Sequence, residues 1–118
     1  MNLESLRKYC LSKKGASECF PFDEETLVFK VMDKMFCLTN LNPPFTFNLK
    51  CDPEKAMELR DRYEAVKPGY HMSKVHWNTI EVDGTIKDKL LCEWINDSYN
   101  LIVAGLSKKN QKLLEELE

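Results

Sequence analysis

The sequence predicts an α+β domain: a two-layer sandwich whose antiparallel sheet of about five strands carries its helices on one face, in the order α-β-β-β-α-β-β-α. Three observations lead there. Side chains change to a period of two along residues 27–32, and Phe45, Phe47 and Leu49 alternate with Thr46, Asn48 and Lys50, the period of a half-buried strand. They recur at helical spacing in 2–14, 52–63 and 87–104. Capping and turn residues bound these segments, and the connections between strands are short, which favours antiparallel pairing.

The first helix is predicted over residues 2–14, capped by Asn2, with Leu3, Leu6, Tyr9 and Cys10 on one face. Lys13 and Lys14 suit the negative end of its dipole, and Gly15 stops it. Leu27, Phe29 and Val31 then alternate with Val28, Lys30 and Met32, and Asp33-Lys34 turns the chain into Met35–Thr39, giving a hairpin. Asn42-Pro43-Pro44 marks a loop, after which Phe45, Phe47 and Leu49 alternate with Thr46, Asn48 and Lys50. Asp52 caps the second helix, Pro53 takes its first position, and Ala56, Leu59 and Tyr63 form its stripe. Pro68-Gly69 breaks the chain, with a short strand at 66–71 before another from His76 to Val82, ended by Asp83-Gly84. The third helix runs from about Lys87 to Ala104, with Leu91, Trp94, Ile95, Ser98 and Ile102 inward and Gly105 at its end. Residues 1–106 are expected to form one domain. Residues 107–118 are a short charged tail, helical, with Leu113, Leu114 and Leu117 along one side.

A chain of 118 residues, 43% hydrophobic and 31% charged, suits a single globular domain. At that size folding buries roughly two-thirds of the surface, enough for a core without metal or disulfide staples. The net charge is −2, so the chain lacks the basic excess of a domain built on non-specific phosphate binding. A nucleic-acid role therefore requires a local patch. The five cysteines are odd in number and include no CxxC, which fits reduced thiols in a cytosolic protein. The opening MNLESLRKY is not signal-like, and no apolar run reaches transmembrane length, so a soluble cytoplasmic protein without a membrane partner is expected. A monomer without a cofactor is also expected.

The stretch PGYHMSKVHWNTI (68–80) holds both histidines, a tyrosine and a tryptophan, and no acid. His71 and His76 lie five apart with no paired cysteine spacing nearby, so no metal site is predicted. Cys51 precedes a helix N-terminus, where a thiol can be activated, and with His71 or His76 it could form a nucleophilic pair. The sequence has no Gly-x-Ser-x-Gly elbow, phosphate-cradling loop or dinucleotide fingerprint, and the protein is expected not to be an enzyme. The acidic run Asp23-Glu24-Glu25 is a solvated turn before the strand at Leu27. Lys67 and Lys74 can bind phosphate, Asn78 can read an adenine edge, and Tyr70 and Trp77 can stack on bases. For Tyr70 and Trp77, packing is the competing role.

The segments ECFPFDEETLVFKVMDKMFCL, LKCDPEKAMELRDRYEAVKPGYHMSKVHWNTI and INDSYNLIV are together similar to the MmcQ/YjbR family of small bacterial proteins. They span about residues 18–103. The block at 68–78 is the most specific, and Asp97-Ser98-Tyr99 comes next. The resemblance implies a two-layer domain with an antiparallel sheet, like the secretion-chaperone folds. It also implies DNA binding, through a likeness to double-wing domains whose β-ribbons approach DNA. No catalytic residue or cofactor comes with it. The motif positions carried over are Lys50, Pro68, Gly69, Tyr70, His71, Lys74, His76, Trp77 and Asn78, with Pro68 and Gly69 as structural positions.

The leading expectation is therefore a non-catalytic DNA-binding or regulatory protein, with Lys50, Lys67, Lys74 and the histidines near phosphates. The alternative is a protein- or peptide-binding module that adds a partner strand to a sheet edge. A third reading is a small pocket around His71, His76 and Cys51, which requires their side chains to share one face.

Overall fold

The computed structural model describes residues 1–69 and 72–117. The elements are α1 (Leu3–Leu11), β1 (Ala16–Cys19), β2 (Thr26–Val31), β3 (Lys34–Asn40), β4 (Thr46–Lys50), α2 (Pro53–Arg62), β5 (Val66–Pro68), β6 (Trp77–Glu81), α3 (Asp88–Ala104) and α4 (Lys108–Glu115). The strands form a six-stranded antiparallel sheet in the order β1-β2-β3-β4-β6-β5. The two-layer α+β architecture is that expected, with one strand more than the estimate of about five.

The extra strand is β1. Its sequence, Ala-Ser-Glu-Cys, has no apolar alternation, and it exists because its backbone pairs with β2. Arg7 of α1 holds Glu18 from the helix side, Nε donating to the carboxylate at 2.7 Å. This pairing holds the Glu18 carboxyl below its ordinary range. The helix before it stops at Leu11, short of the expected Lys14, because the Ser12 hydroxyl donates to the Tyr9 carbonyl at 2.6 Å.

The β2–β3 hairpin turns at Met32-Asp33 rather than at Asp33-Lys34. Both turn residues have positive φ, 48° and 64°, the conformation that matches a tight turn to the strand twist. A bulge follows: Phe29 pairs with Cys37 but Lys30 with Met35, leaving Phe36 as the extra residue. Phe36 and Cys37 consequently both enter the helix-side core, while Met35 and Leu38 face the other way.

That core joins Leu27, Phe29, Val31, Phe47, Leu49 and Ile80 of the sheet to all four helices, α2 through the partly buried Leu59. α1 contributes Leu6 and Cys10, and α4 contributes Leu114. The five α3 residues expected inward are the five that are buried. α2 starts as expected, with Asp52 accepting from the Lys55 amide and Pro53 at the first position, and it buries Ala56. α4 packs over the α1–β1 turn. A methyl at Gly15 (φ +71°) would lie 2.6 Å from Leu114, and Lys14 Nζ donates to the Glu115 carbonyl at 2.7 Å.

The Asp97-Ser98-Tyr99 segment fastens α3 to the sheet. Buried Ser98 donates to the Phe36 carbonyl at 2.6 Å and accepts from the Lys50 amide at 2.9 Å, bridging β3 and β4 where their ladder ends beside the Phe36 bulge. Tyr99 meets the Phe36 ring edge-on at 5.3 Å, and Asp97 pairs with Lys55 of α2 at 3.1 Å. Among the described residues, no helix is long and apolar enough to cross a membrane.

Candidate functional site

With the helices on one face, the other face of the sheet is free of them. Strand register fixes which side chains it presents. Val28 of β2 pairs with Leu38, Leu38 with Asn48, Asn48 with Thr79 and Thr79 with Lys67, so these five form a row across the sheet. One step along, Lys30 pairs with Met35 and Lys50 with Trp77. One step the other way lie Thr26, Asn40, Thr46 and Glu81.

Three apolar side chains make a small second core on this face. Val28, Leu38 and Trp77 are buried together, flanked by Cys19, Met35 and Met72. Trp77 is 9% exposed. Packing is its role here, and it offers little ring surface for stacking on a base. Pro68-Gly69 explains itself against the same residue. The Gly69 amide donates to the Trp77 carbonyl at 2.8 Å, and a methyl on Gly69 would lie 2.8 Å from Trp77 Cβ. Only glycine fits that approach.

Asn78 points the opposite way, into the helix layer, and is 2% exposed. Its amide oxygen accepts from Arg60 Nε at 2.6 Å, and its NH₂ donates to the Ala56 carbonyl at 3.3 Å. The expected adenine contact is therefore replaced by a structural one. Arg60 also donates to the carbonyls of Lys74 and Trp77, so one guanidinium of α2 fastens the segment that enters β6. That strand begins at Trp77, one residue after the expected His76, because residues 73–76 form a turn in which the Ser73 carbonyl accepts from the Trp77 amide at 2.9 Å. Lys74 and His76 are exposed in this turn. Tyr70 and His71 lie outside the described residues.

The cations of the helix-free face gather toward one end. Lys30 and Lys50 point outward from adjacent registers, and Lys74 and His76 lie in the turn beside Lys50. Lys67 sits 3.9 Å from Glu81, an exposed ion pair at the edge of the face. At the far end is the acidic run. Asp23 accepts from the amides of Glu25 (2.9 Å) and Thr26 (2.7 Å), and these bonds hold its carboxyl below the usual range. The run is the turn before β2 that its position implies.

Between the two ends lies a groove of about 550 Å³. Leu38, Thr46, Asn48 and Thr79 form its floor, the Thr79 hydroxyl donating to the side-chain amide oxygen (Oδ1) of Asn48. Its walls are Phe22, from the loop after β1, and Met72, from the loop before β6. Phe22 is 65% exposed and Phe20 48%, unusual for rings of this size. The groove lay beyond the sequence motifs. Its signal was the outward register of Asn48 in β4, together with two phenylalanines in a loop.

Cys51 belongs elsewhere. It is buried beside Lys55 and Asp97 between α2 and α3, and burial pushes its thiol up, away from nucleophilic activation. Its amide donates to the His76 carbonyl at 2.7 Å, but the imidazole is exposed. Among the described residues, no three His, Cys, Asp or Glu side chains gather to hold a metal ion.

Comparison with known proteins places these features in a lineage. The YjbR family model matches residues 11–101. YbdF of Escherichia coli O157:H7 is 40% identical over 111 residues, covering 92% of this chain and 90% of its own. YjbR of Escherichia coli strain K12 is 33% identical over 119 residues, covering 99% and 100%. Among solved structures, protein DR2400 of Deinococcus radiodurans superposes with a TM-score of 0.90 at 40% identity, covering 97% of this chain and 88% of that one. A Pseudomonas syringae protein gives 0.74 at 27% identity, covering 86% and 98%. The matched span contains the Gly69–Trp77 approach, the Arg60 clasp and the Ser98 bridge, and the chain belongs to the YjbR family.

Proposed function

We propose that this protein is a non-catalytic DNA-binding domain that offers the helix-free face of its sheet to the nucleic acid. One observation carries this reading. On a chain of net charge −2, the strand side chains of that face include Lys30, Lys50 and Lys67 against a single carboxylate, Glu81, already beside Lys67. Lys74 and His76 extend the patch at the Lys50 end. This is the local basic surface that phosphate contact requires, and the neutral Asn40, Asn48, Thr46 and Thr79 beside it can hydrogen-bond to sugar or base edges.

The alternative is capture of a partner peptide at a sheet edge. It is less well supported, because both edges are short: β1 has four residues, and β5 has three and ends at Pro68, which has no amide hydrogen to donate. A non-catalytic role is supported by the buried, unactivated Cys51 thiol.

Fluorescence anisotropy with labelled DNA over a salt series tests the proposal. Wild-type binding should weaken with salt, and Lys50→Ala plus Lys74→Ala should lower the slope of log K against log salt by about 2, roughly one per lost phosphate contact. Absence of binding at low ionic strength would sink it, and recovery of a peptide ligand by the same protein would favour the alternative.

A further inference from the structure

We infer that the groove on the helix-free face receives an unpaired nucleobase, so that the preferred ligand is a single strand rather than a duplex. This rests on the DNA-binding reading of the same face and adds a substrate class to it. The groove's volume, about 550 Å³, is that of a small-molecule site. Its chemistry is split as a base is split. Phe22 and Met72 offer apolar walls for a flat ring, and Thr46, Asn48 and Thr79 offer polar atoms for the ring's edge.

The side chain of Asn48 is set for that task. Its carbonyl oxygen is taken by the Thr79 hydroxyl, which fixes the amide plane and leaves the NH₂ without a partner among the described residues. Among the described residues no lysine or arginine lines the groove and Asp23 is its one ionisable wall residue, which disfavours a phosphate there. The phosphate-binding cation is close by: Lys50 lies two residues along β4 from Asn48 on the same face, roughly 7 Å away. An aromatic wall, an amide floor and a flanking cation are the parts from which single-strand sites are assembled. In a duplex the bases are stacked and paired, and their faces cannot reach Phe22.

The test compares a labelled twelve-nucleotide single strand with the duplex of the same sequence, for wild type, Phe22→Ala and Phe22→Tyr. Phe22 is largely exposed, so the fold should survive, and circular dichroism confirms that it does. Tighter binding of the single strand, weakened roughly tenfold or more in Phe22→Ala as expected for one lost stack, and restored in Phe22→Tyr, supports the inference. Duplex bound as tightly as single strand, or Phe22→Ala without effect, overturns it while leaving the DNA-binding reading standing. No binding of either by the wild type removes both.

Discussion

Ser98→Ala probes the joint on which the sheet face depends. The hydroxyl makes two hydrogen bonds at once, to the Phe36 carbonyl at 2.6 Å and from the Lys50 amide at 2.9 Å, in a site with no solvent exposure. Alanine fits the space but satisfies neither backbone group. A buried polar group without a partner costs about 1–3 kcal/mol. With two groups orphaned, and some relaxation at the bulge, the loss should be about 2–4 kcal/mol, a large share of the ~5–15 kcal/mol that holds a typical domain together. The melting temperature should fall by roughly 10–20 °C for a chain of this length. Urea unfolding followed by tryptophan fluorescence measures the first quantity and a thermal scan the second. The control is Asn100→Ala, an exposed position on the same helix, expected within about 0.5 kcal/mol of wild type. If Ser98→Ala also unfolds within that margin, the bridge contributes nothing to stability and the argument for the motif fails.

Three further outcomes are expected. Gly69→Ala should destabilise by about 1–3 kcal/mol, because its methyl meets the Trp77 backbone and Cβ within 3 Å, and should red-shift Trp77 fluorescence; Gly84→Ala, with open space around it but φ of +87°, should cost about 1 kcal/mol through backbone strain alone and leave the fluorescence unchanged. Asp23→Asn should flatten the acid limb of the stability curve. Its folded carboxyl sits below the ordinary value, so its contribution is fully present above about pH 4 and lost as the pH falls through the depressed value. Asparagine can still accept the two amides but does not titrate. Unfolding midpoints from pH 5 to pH 2 check this, and an unchanged acid limb refutes it.

What was legible in the sequence was whatever rests on local periodicity. Leu91, Trp94, Ile95, Ser98 and Ile102 announce the buried face of α3 by spacing alone, and Asp52-Pro53 announces the start of α2. What was not legible depends on partners far along the chain. β1 has no pattern of its own and is a strand only because β2 is beside it. The bulge at Phe36 breaks the alternation of β3, so the inward set there is Phe36 and Cys37 together. Asn78 looked like a contact because its neighbours are polar. The guanidinium that claims it, Arg60, lies 18 residues earlier on a helix where acids disguise its purpose. Trp77 and Asn78 are adjacent and face opposite layers, which a list of residue types cannot express.

The contact between Gly15 and Leu114 sets a schedule for the nascent chain. Gly15 leaves the ribosome early and its partner late. At ordinary elongation rates the turn waits roughly 5–20 s before α4 exists to cover it. During that interval Leu6, Cys10 and Val31, which share a core with Leu114, have only part of their final cover. A truncation before Lys108 would leave that apolar surface without α4, the last of its cover.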